Sequence, residues 1–186
     1  MAVTIEKLIE ETIAKTKETK DGVDNAKLKE ILTKVAVEEM SLKDALGFND
    51  NFIATVYATA FNHYQSGKFS TSLDIFQVLR TLDPKDPRYS LGIGACFQKL
   101  KQYEDAIPFY VAAAILEPTS PLPYYYASDC FLKTGNKYGA LAMLKMVVPN
   151  LSEDAVLKGR VGASMEALQV QIAEDKKNED RKIAKK

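Results

Sequence analysis

The sequence predicts an all-α fold in which three tandem helix-turn-helix repeats form an α-solenoid, with N-terminal helices before them and a C-terminal capping helix after them. A spacing of about 34 residues recurs in several columns at once, from about residue 53 to residue 152. Apolar residues recur at steps of three and four, which is the period of one helix face. Turn-forming residues and prolines interrupt these patterns at regular intervals, so the helices are short.

The columns of this period keep small, large and turn-forming residues in equivalent places. Pro84 and Pro118 are one period apart, each at the end of a helical pattern, and the same step relates Gly67, Lys101 and Gly135. A unit of this length, with a tight turn after its first helix and a proline after its second, is the signature of the tetratricopeptide repeat. The predicted repeat region covers residues 49–151, with repeats over residues 51–84, 85–118 and 119–151.

Residues 1–48 are predicted to form an N-terminal helical region. One helix is expected over residues 3–19, from apolar residues on a single face at Ile5, Leu8, Ile9 and Ile13. A second is expected over residues 25–39. Ser41 followed by Asp44 predicts the cap of a short helix that ends at Gly47, and Asn49 or Asp50 is expected to cap the first helix of the repeats. The apolar face of the first helix suggests that this region supports dimerisation.

The helices of the repeats are predicted over residues 51–66 and 70–82, then 87–100 and 103–116, and then from Pro121 through the turn at Gly135 to Val148. Residues 152–173 follow as a capping helix, because the end of a repeat array needs a cover and apolar residues recur there at helical steps. In residues 174–186, ten of thirteen residues are charged, with both signs present. This segment is predicted to be a disordered tail.

Composition limits the classes of partner. The chain has 186 residues with 25 basic and 25 acidic side chains, so no net charge attracts it to nucleic acid or to an anionic membrane. No apolar run approaches the roughly 20 residues that span a bilayer, and the first residues lack the uninterrupted apolar core of a secretory signal. The protein is expected to stay in the compartment where it is made, without inserting into a membrane.

Residues that carry catalytic or metal chemistry are sparse. Cys96 and Cys130 are one repeat period apart, at equivalent positions of two first helices, and are interpreted as small buried thiols rather than a disulfide. His63 has no cysteine or acidic partner at a ligand spacing. No nucleophile and base pair or phosphate loop is recognisable. The sequence therefore predicts a binding protein, not an enzyme, with no metal and no cofactor.

The first helix of each repeat should line the concave wall of the solenoid with one stripe of side chains, at repeat positions 2, 5, 9 and 12. The three stripes are Ala54, Tyr57, Phe61 and Tyr64; Arg88, Leu91, Ala95 and Gln98; and Leu122, Tyr125, Asp129 and Leu132. The aromatic residues of the first stripe could instead belong to the core. Groove lining is the preferred interpretation, because other residues already fill the core positions and an uncovered apolar stripe needs a partner. For Arg88 and Gln98, the alternatives are a polar flank of the groove and a solvated role.

Several segments resemble one family over about residues 45–170. The segments are Leu46-Gly47-Phe48-Asn49-Asp50, residues 56–69, Asp86-Pro87-Arg88-Tyr89-Ser90-Leu91-Gly92-Ile93-Gly94-Ala95-Cys96 and residues 123–130. They are similar to the class II chaperones of bacterial type III secretion, the SycD/LcrH/IpgC-type chaperones of translocator proteins. The resemblance implies three tetratricopeptide repeats and no enzymatic activity. It also implies a location in the bacterial cytoplasm and a homodimer through N-terminal helices.

The resemblance further implies that the groove binds an extended segment near the N-terminus of a hydrophobic translocator, of the form Pro-x-Leu-x-x-Pro, and keeps the client soluble before secretion. The predicted peptide-binding residues are Tyr57, Phe61, Tyr64, Arg88, Leu91, Ala95, Gln98 and Tyr125, of which the resemblance carries over all except Ala95 and Gln98. One alternative is a co-chaperone that clamps a C-terminal carboxylate, but this requires Lys and Asn where Tyr57 and Phe61 lie. The other alternative is a scaffold or assembly subunit with a permanent protein partner.

Overall fold

The structure is a computed structural model that describes residues 24–151 and 155–183, together with Lys7, Ile9, Glu10 and Ile13. The helix predicted over residues 3–19 lies outside the described residues apart from those four, of which Ile9 and Ile13 are buried. The start of the final helix at residues 152–154 also lies outside them. Within the described part of the chain, no helix is both long enough and apolar enough to cross a membrane.

Within residues 24–49, two helices precede the repeats. Helix α1 spans Asn25–Ala36 and α2 spans Leu42–Ala45. The backbone N–H of Asp44 donates to the Ser41 hydroxyl oxygen, which caps α2 as their spacing predicted. Gly47 then adopts a φ of 74°, a left-handed conformation that lets the chain turn into the repeats.

Three helix pairs follow, joined by turns of the same kind. The pairs are α3 Asp50–Gln65 with α4 Phe69–Leu82, α5 Pro87–Lys99 with α6 Tyr103–Leu116, and α7 Pro121–Lys133 with α8 Lys137–Val147. Gly67, Lys101 and Gly135 occupy one column of the repeat period, and each has a positive φ, between 63° and 78°. A left-handed residue directly after a helix allows backbone hydrogen bonds to close the helix end, so this column sets the tight turn inside each repeat.

Small residues allow the helices of the repeats to pack closely. A Cβ on Gly94 would lie 2.9 Å from ring carbons of Tyr110, so only glycine leaves room for that ring. The Ser72 hydroxyl donates to the carbonyl oxygen of Ala60 at 2.8 Å, and the Cys96 thiol lies 3.4 Å from the Ser72 oxygen. Cys96 and Cys130 are both buried and unbridged, as the sequence predicted.

A long helix covers the end of the third repeat. After a 3-10 turn at Val148–Asn150, helix α9 spans Ala155–Ile183. Val161 and Leu168 are buried against a cluster that includes Tyr124 and Leu144 of the third repeat. The prediction of a disordered tail from residue 174 is wrong for the described residues, because α9 continues to Ile183.

The charged end of α9 is held to the repeats by an ion pair. The ammonium nitrogen of Lys137 in α8 lies 2.6 Å from the Asp175 carboxylate. Lys, Glu, Arg and Ala are strong helix formers, and charges of opposite sign three or four residues apart stabilise a helix surface. The mixed charge that suggested disorder is therefore compatible with an exposed helix.

Candidate functional site

A cleft of about 510 Å³ is lined by the first helices of all three repeats. Helices α3, α5 and α7 contribute Tyr57, Phe61, Tyr64, Arg88, Leu91, Gly92, Ala95, Gln98, Lys99, Leu122, Tyr126, Asp129 and Lys133. Phe76 of α4 and Tyr103 and Tyr110 of α6 reach the cleft from the second helices. Side chains that are distant in sequence therefore form one continuous, largely apolar surface.

Seven of the eight predicted binding residues line this cleft, and Tyr125 does not. Tyr125 packs against the buried cluster that joins the third repeat to α9. The next residue, Tyr126, lines the cleft instead, and its ring contacts that of Tyr125 edge-on at 5.9 Å. The placement of Tyr125 in the groove is therefore wrong by one residue, which is about 100° of rotation around the helix.

Other lining residues were missed because they lie off the predicted stripe. Phe76 of α4 is almost fully buried. It reaches the cleft floor beside Gly92, where a Cβ would lie 2.8 Å from the Phe76 ring. Lys99 and Lys133 carry a signal that could have identified them, since they occupy the same position of the second and third repeats.

The aromatic stripe of α3 belongs partly to the core and partly to the cleft. Phe61 is 45% exposed. Tyr57 is half-buried, with its ring 5.7 Å from Phe76 in an edge-on contact, and Tyr64 contacts Phe69 edge-on at 5.4 Å. Each alternative interpretation is thus correct for part of the stripe. The core fixes the orientation of the two tyrosines, and Phe61 offers the larger exposed apolar surface.

Arg88 lies at one edge of the cleft in a fixed orientation. Its guanidinium makes hydrogen bonds of 2.6–3.0 Å to both oxygens of Asp86, the residue that caps α5. The guanidinium also lies over the Tyr57 ring, 5.1 Å from the ring centre. Burial opposes ionisation of Asp86, but the hydrogen bonds and charge of Arg88 outweigh it and lower the pKa of Asp86. Arg88 therefore presents a neutralised, planar surface beside the aromatic stripe.

A polar chain crosses the cleft floor between the second and third repeats. The Tyr110 hydroxyl donates to Gln98 Oε1 at 2.6 Å, and Gln98 Nε2 donates to Asp129 Oδ2 at 2.7 Å. Burial raises the pKa of Tyr110, so this hydroxyl stays protonated and can donate. Both ends of the Gln98 amide are therefore used to join two repeats, which gives this residue a structural role in the cleft.

The residues that line the cleft offer contacts for binding, and the two cysteines lie outside that lining. Burial raises the pKa of Cys130 to about 11 and also raises the pKa of Cys96, so both thiols are protonated at neutral pH. Among the described residues, no cluster of three or more His, Cys, Asp or Glu side chains could hold a metal ion. Half-exposed aromatic and aliphatic side chains suit the binding of apolar side chains of a ligand.

Several known proteins are similar to this chain in sequence. The chain is 36% identical over 118 residues to Low calcium response locus protein H of Yersinia pestis, covering 62% of this chain and 70% of the relative. It is 24% identical over 161 residues to chaperone protein SicA of Salmonella typhimurium, covering 87% of this chain and 97% of the relative. No protein-family model matches the chain.

Solved structures share both fold and sequence with the chain. The Yersinia enterocolitica type III secretion chaperone SycD, in complex with a peptide of the translocator YopD, superposes with a TM-score of 0.63 at 31% identity, covering 67% of this chain and 98% of SycD. PcrH in complex with the chaperone binding region of PopD has a TM-score of 0.62 at 34% identity, covering 67% of this chain and 96% of PcrH. The similarity thus spans nearly the whole length of each of these proteins.

Proposed function

This chain belongs to the LcrH/SycD family of type III secretion translocator chaperones, and on that premise we propose that its cleft binds an extended N-terminal segment of a hydrophobic translocator protein. Binding keeps the client soluble before secretion. The segment has the form Pro-x-Leu-x-x-Pro, and its apolar side chains dock on the stripe of α3 and on the apolar residues of α5 and α7. SycD and PcrH are solved with segments of translocators bound, which supports this client class.

The observation that carries the proposal is the half-exposed apolar surface inside the cleft. Phe61 is 45% exposed and Leu122 is 49% exposed, and they line the cleft from the first and third repeats. Burying an apolar side chain completely stabilises a complex by about 1.5–3 kcal/mol, before the cost of ordering the ligand. A proline-containing segment loses less entropy on binding than a flexible one. Two or three such anchors contribute about 3–9 kcal/mol before that cost, so other contacts of the segment must add to them to reach micromolar affinity, which is about 8 kcal/mol.

The role is binding rather than catalysis, and the place of action is the bacterial cytoplasm, where a translocator must be held before export. The relatives are chaperones. The two buried thiols are protonated, and the amide of Gln98 is committed to two hydrogen bonds, which is compatible with a binding role. Neither nucleic acid nor a membrane is a partner in this proposal.

A homodimer that uses residues 1–48 is part of the proposal. SycD has been solved in an alternative dimer. In the present structure Ile9 and Ile13 are already buried within one chain. A second copy would therefore contact other residues of this region, or would replace the intramolecular packing of that face.

The alternative of a scaffold subunit with a permanent partner is less favoured. A permanent interface is typically large and apolar, on the order of 2,000 Å² or more in total. The cleft has a volume of about 510 Å³, and its Arg88, Lys99 and Lys133 side chains lie among apolar ones. This mixture suits a ligand that is bound and later released.

Titration calorimetry with a Pro-x-Leu-x-x-Pro peptide from a translocator tests the proposed function. The full-length protein should bind the peptide with a Kd of about 1–10 μM or lower. A peptide in which the leucine and both prolines are replaced by alanine should show no measurable binding. Equal affinity for the two peptides would exclude the anchor model and favour a different client site.

A further inference from the structure

We propose that Lys99 and Lys133 form a basic edge of the cleft that selects acidic side chains three residues apart in the client segment. This inference rests on the proposed function and adds the charge pattern of the client to it. The two lysines lie at equivalent positions of α5 and α7, one repeat period apart in sequence. Both line the cleft and both are exposed.

Neither lysine forms an ion pair with a described residue. No carboxylate lies within 4.0 Å of either ammonium nitrogen among the residues that the structure describes. Two further charged residues, Arg88 and Asp129, line the cleft. Arg88 is paired with Asp86, and the Asp129 carboxylate accepts a hydrogen bond from Gln98. With Arg88 paired, the two lysines outnumber the one remaining lining carboxylate, that of Asp129, so the net charge of the cleft is positive.

The basic edge is confined to the second and third repeats. The equivalent residue of the first repeat is Gln65, which is uncharged. Each lysine lies in the last turn of its helix, where a positive charge favours the helix dipole. That effect accounts for a basic residue on any side of the last turn. It does not explain why both lysines lie on the side of their helix that faces the cleft, next to apolar side chains of the protein.

The spacing of the repeats matches the period of an extended proline-containing chain. Packed helices lie with their axes about 8–10 Å apart, and we take this as the order of separation between equivalent residues of neighbouring repeats. A polyproline II helix has three residues per turn and rises about 3.1 Å per residue, so residues three apart point the same way at about 9.3 Å. Two acidic residues at this spacing can face the two lysines together.

The motif itself indicates which positions these acids occupy. In a polyproline II conformation, Pro-x-Leu-x-x-Pro places its six residues on three faces. The third and sixth residues form one face with two anchors, and the first and fourth form another with one anchor. The second and fifth form the only face without an anchor. The geometry therefore assigns the acidic side chains to the second and fifth positions of the motif.

The test compares three peptides that share the same anchors and length. One has glutamate at the second and fifth positions, one has glutamate at the fourth and fifth, and one has glutamine at the second and fifth. Calorimetry at about 50 mM salt should show the first binding about three- to tenfold more tightly than the other two, since an exposed ion pair adds a modest free energy. The advantage should disappear at about 500 mM salt.

Two double variants test whether the preference for the glutamate peptide depends on Lys99 and Lys133. The double variant Lys99→Gln/Lys133→Gln should bind all three peptides equally. The control Lys85→Gln/Lys145→Gln removes the same charge from exposed residues outside the cleft, and it should keep the full difference. An advantage that persists in Lys99→Gln/Lys133→Gln, or equal binding of the two glutamate peptides to the unaltered protein, overturns the inference.

Failure of this inference can be told apart from failure of the proposed function. If the glutamine peptide binds, and replacing its leucine and prolines by alanine abolishes binding, the proposed function stands. This holds even if the glutamate peptides show no higher affinity. If no Pro-x-Leu-x-x-Pro peptide binds the unaltered protein at any salt concentration, the proposed function itself is wrong, and the charge inference falls with it.

Discussion

Replacing Phe61 by alanine should weaken client binding strongly while leaving the fold nearly intact. The Phe61 side chain is 45% exposed in the cleft. For an aromatic side chain with roughly 200 Å² of surface, this leaves about 90 Å² for a client to cover. At about 25 cal/mol per Å², the lost burial amounts to about 2 kcal/mol, or about thirtyfold in Kd.

The stability control for this substitution is Leu79→Ala. Leu79 is fully buried between the first two repeats and does not line the cleft. Its truncation should cost about 2–5 kcal/mol of unfolding free energy, whereas an exposed residue such as Phe61 should cost about 1 kcal/mol or less. For a chain of this length, each kcal/mol corresponds to about 2–4 °C in Tm.

The assay pairs titration of the Pro-x-Leu-x-x-Pro peptide with thermal unfolding for each variant. We expect Phe61→Ala to lose affinity with a small change in Tm. Leu79→Ala should lose stability but bind normally well below its Tm. A Kd for Phe61→Ala within twofold of the unaltered protein, or a Tm lowered as far as in Leu79→Ala, would refute the assignment of Phe61 to the binding surface.

Three further predictions concern packing, pH and assembly. Gly94→Ala should lose about 1–3 kcal/mol in urea unfolding, because its Cβ would lie 2.9 Å from the Tyr110 ring. Gly162→Ala, with no atom within 4 Å of its Cβ, should gain up to about 1 kcal/mol, and a loss at Gly162 as large as that at Gly94 would contradict the packing argument. The lowered pKa of Asp86 implies a stabilisation that is complete above its unfolded pKa of about 4 and is lost as pH falls through the lower folded pKa. The difference in unfolding free energy between the unaltered protein and Asp86→Asn should therefore be constant from about pH 5 to 7 and shrink below about pH 4, and a pH-independent difference would exclude this linkage. Deletion of residues 1–40 should shift the particle toward monomer in sedimentation velocity, and a full-length protein that is already monomeric at micromolar concentration would contradict the dimer proposal.

The repeated features of the fold were predictable because they depend on local chemistry. The positive φ at Gly67, Lys101 and Gly135 follows from one column of the repeat period, and Pro87 and Pro121 begin first helices where proline is favourable. The charged end of α9 was not predictable in the same way. Its ion pair between Lys137 and Asp175 joins residues 38 apart in sequence, which no local pattern indicates.

Most residues that line the binding cleft could be predicted from the repeat period, but one lining position of the third repeat could not. Tyr57, Phe61 and Tyr64 line the cleft as their spacing indicates. In the third repeat Leu122 and Asp129 line the cleft as predicted, but Tyr126 lines it in place of Tyr125, which packs against the cluster beneath α9. A strict extrapolation of the repeat period cannot include this packing, since it depends on a helix outside the repeats.

The floor of the cleft depends on contacts between helices, and these are not visible in a stripe on one helix. Phe76 lies in a second helix and reaches the cleft because Gly92 has no side chain in its way. Gln98 was predicted as a ligand contact, but its amide already joins Tyr110 to Asp129. A helical wheel gives the face on which a residue lies, whereas these roles depend on which side chains meet across two repeats.

Site-specific photo-cross-linking tests the central claim, that the cleft holds the client segment, most directly. A benzophenone amino acid is introduced in place of Leu122, which is 49% exposed inside the cleft, or in place of Tyr138, which is 61% exposed on α8 outside it. The protein is irradiated with a full-length translocator and the adducts are mapped by mass spectrometry. Binding in the cleft predicts adducts from position 122 within or next to a Pro-x-Leu-x-x-Pro segment, and none from position 138. Adducts from position 138 alone, or adducts from position 122 spread over the translocator without reference to that segment, would contradict it.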